Sequence, residues 1–227
     1  MRIMSYYVNL AAISLARFKE LLNSTDLVPS RMVLRGNIDR NFHSLSELNI
    51  HNAEELMKAL GSKKKLHLTS VKADIDEEYL TILLRELKGY RKKPISIKDF
   101  PGLPGGLAEK LESLGLKKAH QLYDQVLTRE LRASLAQKAS VSHDDLLRLT
   151  RMVDLSRVRW VNHTFAYMLE QTIYNSAEKV AYADPEALCD AVKVVNTEQK
   201  IFKGQIGLRD IKRCIDSAKE LSFEVEY

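Results

Sequence analysis

The segment just before residue 107 carries residue types that could bind an anion. Gly102, Leu103, Gly105 and Gly106 lie in a stretch rich in proline and glycine, and Lys110 follows shortly after it. Glycine has no β-carbon, so backbone N–H groups beside it can approach a phosphate closely. A helix that begins after such a turn adds its unpaired N–H groups and its positive dipole end. The segment therefore predicts phosphate contacts, which do not depend on nucleotide sequence.

Further basic and polar residues could extend this surface. Lys117 and Lys118 follow the next turn, and a basic cluster near residue 160 surrounds a related turn. We predict a nucleic-acid-binding site made of Gly102, Leu103, Gly105, Gly106, Lys110, Lys117, Lys118, Arg157, Arg159 and Asn162. Two alternatives stay open. The glycines could instead pack two helices together, and the arginines could lie on a solvated or salt-bridged face. For Trp160, packing in a core or interface competes with base stacking.

No pattern in the sequence indicates catalysis. The six histidines lack the spacing of a zinc protease, and no nucleotide phosphate loop, nucleophile elbow or paired cysteine motif occurs. Asp144 and Asp145 fit a helix start, where acidic side chains interact favourably with the dipole. Cys189 and Cys214 form no disulfide framework or metal cluster. We therefore expect a non-enzymatic protein with no metal and no cofactor.

Composition places the chain among ordinary globular proteins. Apolar residues make up 45% and charged residues 29%, and the net charge is +5. Such a charge permits an anionic partner without requiring one. Residues 8–16 are apolar but interrupted by Asn9 and Ser14, which is not typical of a signal peptide. No run approaches the ~18 apolar residues of a membrane span. We expect a cytoplasmic protein with no membrane partner.

The apolar spacing is helical along nearly the whole chain. Leu80, Leu83, Leu84 and Leu87 form one stripe of helical period. Helices are expected to begin at Asp76 and Ser142, whose side chains suit the cap position. Only residues 5–10 and 222–227 alternate with a period of two, and these two ends could form a small β-pairing.

An internal repeat relates two parts of the chain. With an ungapped shift of 66, residues 36–87 match residues 102–153 at 10 of 52 positions. The identities include Leu45 with Leu111, an apolar position that we expect in the core. A more diverged third copy begins near residue 155, with Leu169 in the place of Leu111. Self-similarity at a fixed period indicates a repeated supersecondary unit.

The second copy resembles a helix-hairpin-helix motif. Gly102, Leu103, Ala108, Leu111 and Gly115 match that motif, whereas Pro104 stands where its second turn glycine belongs. The first copy keeps only Gly36, and the third has Trp160 and Asn162 at the glycine positions. Nearly the whole chain resembles an uncharacterised bacterial family of tandem, degenerate helix-hairpin-helix repeats whose name records an unknown function. By analogy with other helix-hairpin-helix proteins, the resemblance implies DNA binding without sequence preference.

These observations predict an all-α protein of three stacked helix-hairpin-helix units with an N-terminal helical arm. The expected parts are the arm at 1–30, the first unit at 31–92, the second at 93–154, and a third degenerate unit with a C-terminal helix at 155–227. The expected function is non-specific binding of DNA or RNA. The alternative is an adapter that binds another protein and uses its degenerate hairpins only as packing joints. Basic residues should share one face in the first case and scatter in the second.

Overall fold

All regular structure in the computed structural model, which describes residues 6–227, is helical. No strand occurs among these residues, so the predicted all-α class is confirmed. The predicted β-pairing of the two ends is wrong for the described residues. The segment 222–227 is irregular, and the N–H of Glu226 donates to Leu127 O, in the loop between two helices, at 2.8 Å. Residue 5 of the other predicted strand lies outside the described residues. No described helix is long and apolar enough to cross a membrane.

The chain divides into two compact units. The N-terminal unit is Val8–Lys92. Short polar side chains begin its helices, because an oxygen of Ser14, Asn52, Ser62 or Asp76 accepts the N–H three residues later. Its α-helices are α1 Leu15–Ser24, α2 Ile38–Glu47, α3 Ala53–Ala59, α4 Lys63–Ala73 and α5 Glu77–Tyr90.

The C-terminal unit consists of Lys93–Tyr227 together with Tyr6 and Tyr7. Side-chain caps again begin several of its helices, with Thr128, Ser142, Asn162 and Asp184 in the cap positions. Its α-helices are α6 Leu107–Ser113, α7 Ala119–Tyr123, α8 Arg129–Ala139, α9 His143–Leu155, α10 His163–Glu170, α11 Ala177–Ala181, α12 Pro185–Gln199 and α13 Leu208–Ala218.

The sequence repeat has a structural counterpart. A shift of 66 places α4 on α8 residue for residue and the start of α5 on the start of α9. Left-handed residues follow α4, α8 and α12, namely Asp74, Ser140 and Lys200, with φ of 52°, 52° and 51°. Four helices thus occur in the same order in residues 38–90 and 107–155, and four more follow in 163–218. Leu45, Leu111 and Leu169 are completely buried, as expected for the shared apolar position.

A short antiparallel contact fixes the start of the second helix of each of the first two copies. In the N-terminal unit, Ser14 pairs with Asn52. In the C-terminal unit, Ser96 pairs with Lys118, which lies 66 residues after Asn52. The third copy replaces this backbone contact with a side chain, because Asp154 Oδ2 accepts the N–H of Ala177 at 2.8 Å. The pairing at Lys118 fixes the end of segment 110–118, which contains the predicted basic residues Lys110, Lys117 and Lys118.

Candidate binding surfaces

Gly102 packs against a neighbouring helix. Its φ is +68°, and a β-carbon placed on it would lie 2.5 Å from Cε2 of Tyr167 on α10. The space left by the missing side chain is therefore filled by the Tyr167 ring. This contact favours the packing alternative for Gly102, and because the residue is exposed its phosphate contact stays a prediction.

The rest of the second turn (residues 101–106) is open. A β-carbon at Gly105 or Gly106 would meet no heavy atom within 4 Å, and both residues are exposed. Leu103 is half-buried, and Leu107 N–H closes the turn on Pro104 O at 3.3 Å. Gly105 and Gly106 thus leave the backbone of this turn open to another molecule.

The predicted lysines are exposed but do not converge on the turn. Lys110 Nζ donates to the carbonyl of Ser140 at 2.8 Å. Lys117 pairs with Glu112 at 2.9 Å, and this ammonium holds the pKa of the Glu112 carboxyl below its usual value. Residues 110 and 112 are about 200° apart around α6, so Lys110 and Lys117 bind on different sides of that helix.

Lys118 has a structural role through its backbone. Its N–H donates to Oε1 of Gln121 at 2.9 Å, and the N–H of Lys117 donates to the same oxygen at 3.0 Å. Both bonds hold the start of α7, while the Lys118 side chain remains in solvent. The lysine region therefore offers dispersed positive charge and no preformed anion pocket.

Arg157 is a core residue, which corrects its assignment to the binding site. Its side chain is fully buried and pairs with Asp154, at 2.8 Å between Nη1 and Oδ1. Its Nε donates to Tyr6 O at 3.2 Å, and Nη2 donates to Ser222 O at 2.8 Å. The guanidinium also lies 4.4 Å from the centroid of the Tyr123 ring. Arg157 thus forms hydrogen bonds with the backbone near both ends of the described chain, and its buried guanidinium is not accessible to a phosphate.

Tyrosines complete this buried network. Tyr227 donates its hydroxyl to Asp154 Oδ2 at 2.9 Å, and the Tyr6 hydroxyl lies 3.1 Å from Ser156 Oγ. Burial raises the pKa of Tyr6 to about 12 and raises the pKa values of Tyr123 and Tyr227 as well. The tyrosines are therefore neutral at physiological pH, and the network stabilises the fold.

The third turn (residues 158–162) differs from the second in its chemistry. The Arg159 guanidinium lies 4.6 Å from the centroid of the Trp160 ring, and Trp160, the only tryptophan of the chain, is 45% exposed. Asn162 has a φ of −86° and caps α10, its Oδ1 accepting the N–H of Phe165 at 2.8 Å. Asn162 therefore stands at a glycine position of the repeat with extended backbone, as the cap of α10 requires, and not in the left-handed conformation.

A groove lies beside this turn. We call it the Trp160 groove; it encloses about 290 Å³ between α10, residues 202–206 and α13. Asn196 of α12 holds the rim, because its amide group bonds both the N–H and the carbonyl of Phe202. The lining residues are Trp160, Asn162, Thr164, Phe165, Met168, Phe202, Gln205, Ile206, Asp210, Arg213 and Cys214.

Sequence reasoning identified two residues of this groove and missed the others. Trp160 and Asn162 were singled out, whereas Phe165, Phe202 and Ile206 resemble ordinary core positions by type. The available signal was the Lys203–Leu208 segment before α13, which is too rich in glycine and polar residues to be a helix. The approach of that segment to α10 is a tertiary feature that spacing along the chain does not specify.

Comparison with known proteins gives a family and no function. No curated protein and no solved structure matches the chain. The family model described as "Domain of unknown function (DUF4332)" matches residues 102–221, more than half of the chain and all of the Trp160 groove. The expected resemblance to a family of unknown function is confirmed, and the chain belongs to this DUF4332 family.

Proposed function

We propose that this chain is a non-enzymatic binding protein that recognises another protein, and that its degenerate turns act as packing joints. The observation that carries the proposal is the Trp160 groove, an open and mainly apolar depression with exposed aromatic side chains at its edge. Concave, mainly apolar depressions with a few polar groups are the usual places at which proteins bind other molecules.

Exposed aromatic side chains at the groove support this proposal. Trp160 and Phe202, which line it, are 45% and 44% exposed. Both belong to the third copy, in which Trp160 and Asn162 stand at the positions of the turn glycines. A turn that exposes aromatic groups in place of glycines is better suited to a protein partner than to a phosphate.

The positions of the basic residues also favour a protein partner. Lys110 and Lys117 lie on different sides of α6, and Arg157 is buried. Arg159 is half-buried beside Trp160. A protein that tracks a nucleic-acid backbone needs several cations on one accessible face, because affinity comes from neutralised phosphates.

Site-specific photo-crosslinking in living cells tests the proposal. Benzoylphenylalanine is placed at Thr164 in the groove, at Glu109 beside the open second turn, and at exposed Lys72 as a control. We expect a discrete protein adduct from position 164 that positions 109 and 72 do not give. Adducts with nucleic acid from position 109, with none to protein from position 164, would contradict the proposal.

Nucleic-acid binding is the second candidate, and the open backbone at Gly105 and Gly106 favours it. Gly105→Glu is the direct test, since this residue has room for a side chain and no left-handed strain. Gly105→Gln is the matched neutral control. If the second candidate holds, the parent and the Gln variant bind a fluorescent duplex, with log affinity falling by about 0.9 per neutralised phosphate against log salt. The Glu variant then loses that binding; equal binding by all three proteins, or by none, contradicts the second candidate.

A further inference from the structure

We infer that the Trp160 groove binds a short peptide segment with a large apolar side chain flanked by acidic residues. This inference rests on the proposed function and identifies the kind of partner. It depends on the lining of the groove, on the charges around it and on the loop that forms its rim.

The lining suits an apolar anchor. Phe165 and Met168 of α10 and Phe202 and Ile206 of the loop supply most of the surface, with Trp160 at the edge. A partner side chain that enters displaces water from apolar surface, which favours binding in proportion to the apolar area buried. Amphipathic partner segments commonly bind grooves through such anchors.

The charges around the groove are mainly positive. Arg213 lines the groove, and the Arg159 guanidinium lies 4.6 Å from the centroid of the Trp160 ring at its edge. Asp210 is the acidic residue of the lining and pairs with Arg213 at 3.3 Å. Acidic groups on either side of the anchor would therefore meet a net positive rim, and complementary charge favours the correct partner and orientation.

A peptide fits this surface better than a single-stranded nucleic acid. The cation in the lining, Arg213, is paired with Asp210 at 3.3 Å. Two of the predicted phosphate ligands near the groove are occupied elsewhere, because Arg157 is buried in another network and the Asn162 side chain caps α10. A nucleic-acid strand would need a continuous cationic path along its backbone in addition to aromatic stacking.

The single tryptophan makes the groove directly observable. Trp160 fluorescence, excited selectively over tyrosine, is followed while four probes are added to the full chain. The probes are a capped peptide with a Leu-Phe pair between Asp and Glu residues, the same peptide with Lys in place of the acids, the acidic peptide with Ala-Ala for Leu-Phe, and a thymidine oligonucleotide. We expect a saturable change with the acidic Leu-Phe peptide and at least about tenfold weaker binding of the other three.

Two pairs of variants locate the binding. Phe202→Ala should weaken binding about tenfold, whereas Tyr182→Ala removes an exposed aromatic side chain outside the groove and should leave it unchanged. Arg213→Gln should lower affinity about two- to fivefold, as expected for one charge contact at a partly solvated site. Lys219→Gln removes a cation from a pair of the same spacing at the end of α13, at 3.3 Å from Asp216, and should have no effect.

Several results overturn this inference. The acidic Leu-Phe peptide could give no saturable change, or the lysine peptide could bind with equal affinity. The Phe202→Ala variant could bind as well as the parent, or the oligonucleotide could bind more tightly than the acidic peptide. These outcomes can be distinguished from a failure of the proposed function. A protein adduct at position 164 together with a negative peptide titration leaves protein recognition standing and removes only the anchor chemistry. Absence of that adduct, with nucleic acid captured at position 109, removes both.

Discussion

Gly102 lies so close to Tyr167 that a β-carbon at residue 102 would sit 2.5 Å from Cε2 of the tyrosine ring. Gly102 also has a φ of +68°, which side chains disfavour. Gly102→Ala should therefore lower the free energy of unfolding by about 1–3 kcal/mol, through backbone strain and displacement of the ring. Urea denaturation of the purified protein measures this change.

Gly105→Ala is the matched control for that prediction. The position lies in the same turn but has open space and no positive φ. The substitution should be neutral or stabilise by about 0.4–1 kcal/mol, because alanine restricts the unfolded chain. Equal effects of the two alanines would show that the Tyr167 contact is unimportant and that Gly102 is not a packing joint.

Arg157→Ala should destabilise the protein strongly. The substitution leaves the Asp154 carboxylate without its buried cation and removes the bonds to Tyr6 O and Ser222 O. Removal of one partner from a buried ion pair typically costs about 3–5 kcal/mol. Denaturant unfolding gives the value, and Arg159→Ala, at the half-buried neighbouring arginine, should cost much less. If Arg157→Ala lowered the free energy of unfolding only slightly but greatly weakened nucleic-acid binding, the result would support the predicted surface role of Arg157.

The buried tyrosines make stability fall at high pH. Burial raises the pKa of Tyr6 to about 12, above the value near 10 of an unfolded tyrosine. The contribution of neutral Tyr6 is complete below pH ~10. Between pH ~10 and ~12 the unfolded chain releases the proton first, so this contribution falls by about 1.4 kcal/mol per pH unit.

Tyr6→Phe tests this dependence. Below pH ~10 the variant should be about 1 kcal/mol less stable, because it loses the bond to Ser156 Oγ. Phenylalanine does not ionise, so the difference should shrink and then reverse as the pH approaches 12. Denaturant curves of both proteins across this range measure it. A constant difference at all pH values would mean that the Tyr6 hydroxyl is not protected from ionisation by the fold.

Local patterns predicted the helices well. Asp76 and Ser142 begin α5 and α9 as expected, because a capping side chain acts within one turn of the chain. Leu45 and Leu111 are buried as predicted, since helical spacing reports which face is apolar. Both inferences depend on residues that are close in sequence.

The candidate site was predicted less well, because it depends on long-range contacts. Arg157 is followed by Arg159 in a polar-looking turn, and only the approach of Tyr6 and Ser222 makes it a core residue. The role of Gly102 depends likewise on Tyr167, 65 residues away in sequence. The alternating pattern of residues 222–227 predicted a strand, but the segment is irregular and the Tyr227 hydroxyl donates a hydrogen bond to Asp154.

The shared left-handed residues after α4, α8 and α12 predict where glycine would stabilise the protein. Ser140 has a φ of 52° and is exposed, and no described contact depends on its side chain, since Lys110 bonds its backbone carbonyl. A non-glycine residue in this conformation is strained, and glycine relieves the strain at a smaller entropic cost. Ser140→Gly and Lys200→Gly should therefore each raise the free energy of unfolding by about 0.5–1 kcal/mol. At Asp74 the gain should be smaller, because its carboxylate pairs with Arg40.

Gln137→Gly, an exposed position inside α8, supplies the control for these glycine substitutions and should lower stability by about 1 kcal/mol. Thermal and urea unfolding of the three single variants and the control measure the predicted order. Opposite signs at residues 137 and 140 would support the conformational explanation, because the two positions lie three residues apart and differ chiefly in backbone φ. If both Ser140→Gly and Lys200→Gly lowered the free energy of unfolding, the explanation by left-handed backbone strain would be contradicted.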